Sequence, residues 1–241
     1  FINIDLRDDF LNTHTAALAA DDRGGVPELS NEKVVLDYGG PNVAKPMHAG
    51  HLRPAIIGDA LRRIMRFAGF ETLGDVHLGD WGTHIGMIVS EYMNQGREDA
   101  VLNTDLNDSV QVKTLLDELS VIYPQASTEC KQDDKRMKQA HRATVKMQNK
   151  ESPYIDMWRV IREASVQGIR QDYERLGVYF DLWQGEADAH DEIAPMIRDL
   201  EYQHLVDESD GAKVIHIERA DDQKDMPPLI LYKSDGAVMY G

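Results

Sequence analysis

Eleven residues in the first quarter of the chain carry its strongest signal: Pro41-Asn42-Val43-Ala44-Lys45-Pro46-Met47-His48-Ala49-Gly50-His51. An apolar run precedes them at residues 34–38 and an amphipathic pattern follows over residues 50–68, which predicts a strand, a loop and a helix. A helix start presents unpaired backbone N–H groups and a positive dipole end, and both favour phosphate. Gly50 lets backbone approach a ligand, and His48 and His51 can donate to phosphate oxygens. This loop is therefore a candidate nucleotide site.

The composition of the 241 residues is typical of a globular protein, with 42% hydrophobic and 28% charged residues. The sequence has no run of about 18 apolar residues that would predict a membrane span, and its first residues lack the basic start of a signal peptide. The single cysteine, Cys130, rules out an intrachain disulfide and favours a reducing compartment. We therefore expect a cytoplasmic protein with no membrane partner. The net charge of −16 argues against broad, non-specific nucleic-acid binding.

Three blocks of sequence resemble arginyl-tRNA synthetases, which are class I synthetases with a His-Ile-Gly-His type signature. The first is Asp37-Tyr38-Gly39-Gly40-Pro41-Asn42-Val43-Ala44-Lys45-Pro46-Met47-His48-Ala49-Gly50-His51-Leu52-Arg53. The second, similar to the family's His-x-Gly-Asp-Trp-Gly-x-Gln-x-Gly, is His77-Leu78-Gly79-Asp80-Trp81-Gly82-Thr83-His84-Ile85-Gly86. The third is Lys233-Ser234-Asp235-Gly236-Ala237-Val238-Met239-Tyr240. The blocks follow one another in the order that the family uses.

Pattern and resemblance together predict an α/β fold, a Rossmann-like class I synthetase catalytic domain. The chain would hold the first half of its parallel sheet, together with a helical insertion. Residues 1–24 are predicted to be the remnant of an upstream N-terminal domain and its linker. Residues 30–107 and 181–241 are predicted to belong to the incomplete catalytic domain, and residues 108–180 to the helical connective insertion.

The local patterns predict individual elements. Strands are expected over residues 1–6, 34–38 and 71–77, and helices over 8–19, 50–68, 112–123 (closed by Pro124), 126–148 and 152–176. Helix 50–68 carries an apolar stripe at Ile56, Ile57, Ala60, Leu61, Ile64, Met65 and Ala68. Two Asp-Gly turns predict hairpins, one joining 205–208 to 212–217 and one joining 229–233 to 237–240. Ligands of such sheets bind at the carboxyl ends of the strands, so residues 37–51 and 77–84 should face one crevice.

The resemblance implies an arginine–tRNA ligase that forms arginyl-adenylate from ATP and arginine and then charges tRNA(Arg). It implies that His48 and His51 hold the phosphates, that Gly50 lies against the adenosine, and that Lys45 supplies a catalytic positive charge. ATP would bring Mg²⁺ with it, with no protein ligand assigned to the metal. His77, Gly79 and Asp80 would complete the ATP site as a second wall.

The resemblance also implies an arginine site. Asp37 would pair with the guanidinium, Asn42 would contact the polar end of the amino acid, and Tyr240 would pack on its side chain. His84 stands where the family usually has glutamine, and its protonation would depend on pH. Three further positions depart from the family, which usually has serine there: Gly39, Gly40 and Pro54.

A basic segment interrupts this acidic chain. The segment from Lys131 to Lys150 contains seven Lys and Arg residues against two Asp residues. Such a run is typical of a solvated helix face, and it also suits contact with RNA phosphates, here near the acceptor end of the tRNA.

Other functions fit parts of the pattern. A metal-dependent hydrolase could use His48, His51, His77, Asp80 and His84, although no metal-ligand spacing supports it. A different His-Gly-His nucleotidyl transferase would activate another acid. The chain as it stands could also be catalytically incompetent, because the second half of the sheet, the second signature loop and the anticodon-binding helices are not in the sequence.

Overall fold

The computed structural model describes residues 3–29, 31–219, 222, 224 and 226–232. The elements in that part of the chain are, in order, α1 (Asp8–Ala20), β1 (Lys33–Asp37), α2 (Ala49–Phe67), β2 (Glu71–Asp75), α3 (Thr83–Gln95), α4 (Glu98–Leu102), α5 (Ser109–Gln132), α6 (Asp134–Gln148), α7 (Tyr154–Arg175), α8 (Glu186–Tyr202), β3 (Asp207–Ser209), β4 (Ala212–Ile215) and β5 (Leu229–Tyr232). None of these helices is both long and apolar enough to cross a membrane.

The predicted β-α-β unit is confirmed. β1 and β2 pair in parallel over all five residues, and α2 connects them. After α7 the chain returns to this sheet, where Leu182 and Gly185 form parallel bridges with Asp75 and Leu78. The carboxyl ends of β1 and β2 therefore lie next to each other, and the loops that follow them start from the same edge.

The hydrophobic core lies mainly between α3 and the helices of the predicted insertion. α3 packs closely against α6 and also contacts α5 and α7. Among the side chains buried in this core are Ile85, Ile88, Leu119, Met147 and Ile161. The region predicted to be a helical insertion thus contains α5, α6 and α7, while its assignment as a separate domain stays a prediction.

The packed face of α2 differs from the predicted one. Much of the predicted apolar stripe is exposed, including Ile56, Ile57, Leu61 and Ile64. The buried residues of this helix are Ala55, Gly58, Asp59 and Arg62. Tyr38 packs directly on Gly58, and the Arg62 guanidinium pairs with Asp181 at 2.9 Å and donates to the Tyr179 carbonyl at 2.6 Å. The spacing of apolar residues predicted where the helix lies in the sequence, but the contacts of Gly58 and Arg62 determine which of its faces packs against the rest of the protein.

The predicted end of the helix at Pro124 is wrong. α5 continues through the proline, with buried side chains on both sides of it at Leu119, Ile122 and Ala126. Burial of this face outweighs the one backbone hydrogen bond that the proline removes. A single helix over 126–148 is also wrong, because Asp133 is extended and its carboxylate accepts the N–H of Lys135 to begin α6.

Some of the remaining helices and strands were predicted from the sequence, and others were not. The helices predicted over 8–19 and 152–176 are confirmed as α1 and α7, but residues 3–6 are exposed and form no strand. The first hairpin is confirmed, and Asp210 and Gly211 adopt the positive φ angles that its tight turn requires. β5 pairs with β4, and the later strand of the second hairpin lies outside the described residues. α3, α4 and α8 were not predicted.

Candidate functional site

Two loops lie side by side at the carboxyl edge of the sheet. We call residues 38–48 the first loop and residues 76–82 the second loop. The Gly40 N–H donates to the Val76 carbonyl at 3.0 Å, the Val43 N–H donates to the Gly79 carbonyl at 3.0 Å, and the Gly79 N–H donates to the Pro41 carbonyl at 3.1 Å. These bonds continue the parallel pairing beyond the strands, so the structure brings the two predicted site segments together.

His48 and His51 cap the start of α2. Nδ1 of His48 accepts the Gly50 N–H at 3.1 Å, and Nδ1 of His51 accepts the His48 N–H at 3.1 Å. The two rings stack with their centroids 4.0 Å apart. A Cβ atom at Gly50 would lie 2.8 Å from Cε1 of His48, so the glycine makes room for this ring.

The capping bonds also fix which ring nitrogens are free to act. Because each Nδ1 accepts a backbone hydrogen, each neutral ring carries its own hydrogen on Nε2. Burial and the neighbouring His48 lower the pKa of His51. His48 is exposed. The helix start therefore offers two Nε2–H donors next to each other, an arrangement that suits phosphate oxygens.

The first loop is anchored on α5 and α7. Ala44 has a φ of 58°, which is unusual for a residue with a side chain, and its N–H donates to the Ser165 hydroxyl at 2.9 Å. The Lys45 ammonium lies 4.6 Å from the centroid of the Tyr123 ring, a cation–π contact. α5 and α7 thus hold the backbone of this loop and the position of its lysine.

Asp37 and Asn42 lie at the end of β1 and in the loop that follows it. Asp37 ends β1, is exposed, and has no ion pair or hydrogen bond from its carboxylate to any of the described residues. Asn42 pairs with Gly79 of the second loop. A Cβ atom at Gly79 would lie 2.3 Å from Oδ1 of Asn42, so this glycine is needed for the close approach of the two loops.

Asp80 holds the second loop through a buried ion pair. Its side chain is fully buried. Oδ2 accepts a hydrogen bond from Nε–H of Arg162 at 2.6 Å, and Oδ1 accepts one from the Ala187 N–H at 2.9 Å. Burial raises the pKa of Asp80, and the bonds from Arg162 and Ala187 counteract this. The Asp80 carbonyl also accepts the indole N–H of Trp158 at 2.7 Å. Both carboxylate oxygens are thus occupied by protein donors, and contact with ATP stays a prediction for this residue.

Trp81 is a core residue. Its ring makes edge contacts with Trp158 at 4.8 Å and with His190 at 5.3 Å between centroids. Its backbone N–H donates to a carboxylate oxygen of Glu186 at 3.3 Å. Burial raises the pKa of Glu186, while that backbone bond and the charges of His77 and Lys45 lower it. Glu186 therefore belongs electrostatically to the site, although the sequence analysis did not select it.

His77 lies in the second loop, and His84 lies in the first turn of α3, directly after it. His77 is half-buried with a φ of 36°, and its Nδ1 lies 3.9 Å from the Asp75 carboxylate. Burial and the Lys45 charge lower the pKa of His84 to about 4, against a weaker effect of its bond to the Gly79 carbonyl. Nε2 of His84 is buried and has no hydrogen-bond partner. This side chain is therefore neutral at physiological pH.

Two of the predicted features have no place in the described structure. Tyr240, together with the rest of its block, lies outside the described residues. No group of three His, Cys, Asp or Glu side chains that could hold a metal ion occurs in the part of the chain that the structure describes. The hydrolase alternative therefore has no ligand set there.

A comparison with known protein families identifies the family to which this chain belongs. Residues 13–241 match the family described as tRNA synthetases class I (R), catalytic domain. The chain belongs to this family.

Individual relatives agree with this assignment. The arginine–tRNA ligase of Francisella tularensis subsp. holarctica is 42% identical over 245 residues, which cover 100% of this chain and 41% of that protein. The arginine–tRNA ligase of Maricaulis maris is 35% identical, covering 100% of this chain and 42% of that protein. The crystal structure of arginyl-tRNA synthetase from Plasmodium falciparum superposes with a TM-score of 0.67 at 26% identity, covering 88% of this chain and 33% of that one. The chain thus spans about two fifths of the curated relatives' length.

The structure explains two departures from the arginyl-tRNA synthetase pattern. Gly39 and Gly40 have φ angles of 108° and 56°, which residues with a side chain rarely adopt. A Cβ atom at Gly39 would also lie 2.9 Å from the Tyr173 hydroxyl. The loop backbone therefore favours glycine at both positions where the family usually has serine, and most strongly at Gly39.

Sequence reasoning missed three residues that shape this synthetase site. They are Tyr123 under Lys45, Arg162 beside Asp80, and Glu186 beside Trp81. Each lies on a helix far along the chain from the loop that it contacts. A buried aspartate in the second block calls for a cationic partner, but nothing in the sequence indicates which arginine supplies it.

Proposed function

We propose that this chain binds ATP and arginine as part of an arginine–tRNA ligase. In the proposed reaction the arginine carboxylate attacks the α-phosphate of ATP, so that arginyl-adenylate forms and pyrophosphate leaves. The arginyl group then passes to the terminal ribose of tRNA(Arg), which releases AMP. The observation that carries the proposal is the stacked, capping pair of His48 and His51, and family membership supports it.

In this proposal the histidine pair binds the phosphates. The two Nε2–H groups donate to phosphate oxygens as negative charge develops on them, and the helix start adds its positive dipole end. Lys45 adds a full positive charge, held in place by Tyr123. Gly50, His77 and Gly79 line the ATP site as the resemblance implies, and Mg²⁺ enters on the phosphates of ATP.

Arginine binds, in the same proposal, at the carboxyl end of β1. The unpartnered carboxylate of Asp37 is free to accept two hydrogen bonds from the planar guanidinium. Asn42 and the neutral His84 bind the polar end of the amino acid, and Tyr240 packs on its side chain. Asp80 acts differently from these residues, because it positions the second loop through Arg162.

Calorimetric titration with a non-hydrolysable arginyl-adenylate analogue tests this function. A lysyl-adenylate analogue serves as the competing ligand, because it shares the adenosine and differs in the side chain. We expect selective binding of the arginyl analogue. Equal binding of both analogues would instead favour another nucleotidyl transferase, and no binding of either would contradict the proposal.

A substitution locates the source of selectivity. Asp37→Asn keeps the size of the side chain and removes its charge, so we expect the preference for the arginyl analogue to fall about 10-fold or more, as for a lost charge-assisted bond. Asp22→Asn removes the same charge from an exposed position in the segment after α1 and should leave the preference unchanged.

A further inference from the structure

The structure separates the cations of the Lys131–Lys150 segment into two groups. Three of them are engaged within the protein. Arg136 pairs with Glu91 at 3.1 Å and with Glu129 at 2.6 Å. Lys146 lies 4.7 Å from the centroid of the Tyr154 ring, and Lys150 pairs with Asp191 at 3.0 Å. These three side chains have structural partners.

The other four cations have none. We call Lys131, Lys135, Lys138 and Arg142 the basic stripe. All four are exposed, and no side chain among the described residues forms a hydrogen bond, ion pair or ring contact with them. The last three follow one another at three- and four-residue steps along α6, on the face opposite its buried residues, which are Ala140, Ala143, Thr144 and Met147. Lys131 adjoins them at the end of α5.

This arrangement is unusual in such an acidic chain. With a net charge of −16, carboxylates are abundant, and several exposed cations elsewhere do pair with one, including Lys33, Lys113, Arg159 and Arg175. Asp133 and Asp134 lie next to the basic stripe, but the Asp133 carboxylate is occupied in capping α6. Cations without counter-charges create a local positive potential that attracts an anionic partner.

We propose that the basic stripe binds the phosphate backbone of RNA. The inference rests on the proposed function, which supplies an RNA substrate. From Lys135 to Arg142 the basic stripe extends about 10 Å along the helix axis at 1.5 Å per residue. Over this length one strand of a duplex, with a phosphate about every 3.4 Å of axis as in B-DNA, presents about three phosphates. Contacts of this kind position the RNA without reading its sequence.

The surface of α6 fits RNA better than a lipid membrane. A helix that lies on a membrane inserts an apolar face between the lipids. Throughout α6, which is described in full, Val145 is the one large hydrophobic side chain that is exposed. The apolar face of the helix is buried against α3, and the face that carries the basic stripe is polar apart from Val145.

Salt-dependent RNA binding tests the proposal. The test variant is K131Q/K135Q/K138Q/R142Q, and the matched control is K33Q/K113Q/R159Q/R175Q, which removes four positive charges from exposed sites outside the basic stripe. Fluorescence anisotropy would follow binding of a tRNA(Arg) transcript to the 241-residue chain between 50 and 200 mM KCl. The logarithm of the association constant should fall with the logarithm of the salt concentration. Each lost phosphate contact should make this slope less steep by about 0.7–0.9, so the slope of the test variant should be less steep by about 3 in total. The control should keep the wild-type slope.

Several outcomes would overturn the proposal. They are a test variant that binds like wild type, a control that weakens equally, a wild-type chain without salt-dependent RNA binding, and preferential binding to phosphatidylserine vesicles. K131R/K135R/K138R keeps the charges and must retain RNA binding, so a loss there would also overturn it.

Binding of the arginyl-adenylate analogue is measured separately on the same proteins. RNA binding without analogue binding would count against the proposed function and leave the basic stripe supported. Analogue binding together with unchanged RNA binding in the test variant would count against the basic stripe alone.

Discussion

The first and second loops meet at the same edge of the sheet but differ in which of their polar side chains are exposed. Asp37, at the end of β1, and His48, at the end of the first loop, are exposed, and His48 and His51 bond to the backbone of their own helix start. The second loop is held by a fully buried carboxylate, Asp80, and by Trp81 in the core. Asp37 and His48 are therefore accessible to a ligand, whereas Asp80 and Trp81 of the second loop hold the fold.

This difference changes how the second block of sequence is understood. The Gly-Asp-Trp-Gly run looks like a substrate motif because it is so similar to the family pattern. In the structure its aspartate and tryptophan join the sheet edge to α7 and α8. We infer that this run serves the site by fixing the position of the sheet edge relative to α7 and α8.

The largest expected effect comes from breaking the buried ion pair. Arg162→Met removes the guanidinium and leaves the Asp80 charge buried without its partner, so the free energy of unfolding should fall by about 3–5 kcal/mol. Urea denaturation measures this change. Arg159→Met, three residues earlier on α7, removes an exposed arginine whose pairing with Asp156 is local, and it should cost less than about 0.5 kcal/mol. Equal losses in the two variants would contradict the scaffold role.

His84 should make the stability depend on pH. Its pKa is about 4 in the folded chain and about 6.5 when unfolded, so the unfolded state binds more protons between these values. Stability should therefore fall as the pH drops from about 6.5 to 4, by up to about 3 kcal/mol from this residue. In His84→Gln, the change between pH 7 and pH 4.5 should be smaller by most of that amount. An identical pH dependence in both proteins would show that His84 is not buried as described.

The contact between Gly79 and Asn42 leaves no room for an added methyl group. Gly79→Ala places a Cβ atom against Oδ1 of Asn42, and the overpacking should cost about 1–3 kcal/mol of unfolding free energy. In an Asn42→Ala background the oxygen is absent, so the same substitution should cost much less. The double-mutant cycle therefore measures this contact directly, and simple additivity would argue against it.

The sequence predicted local elements well where the signal was local. The parallel strands and the first Asp-Gly hairpin were confirmed, because β-branched runs and turn residues act over a few positions. The buried face of α2 was predicted wrongly, since long-range contacts of Tyr38 and Arg62 decide its orientation. The continuation of α5 through Pro124 was missed for a similar reason, because burial on both sides of the proline outweighs its local cost.

The candidate site shows the same limit. The two loops could be placed together from strand order alone, and the structure brings them together. The use of His48 and His51 as mutual caps could not be predicted, because it depends on ring orientations. The partners Arg162 and Glu186 could not be predicted either, because they come from helices whose packing the sequence does not specify.

Titration of Mg²⁺-ATP into the His48→Asn variant tests most directly whether the first loop binds ligand while the second maintains the fold. Asparagine is a good helix N-cap, so the free energy of unfolding should stay within about 0.5 kcal/mol of wild type. Loss of the Nε2–H donor should weaken ATP binding about 10-fold or more. His14→Ala, on the exposed helix α1, should bind ATP as wild type does. A His48→Asn protein that binds ATP normally, or that is strongly destabilised, would contradict the account.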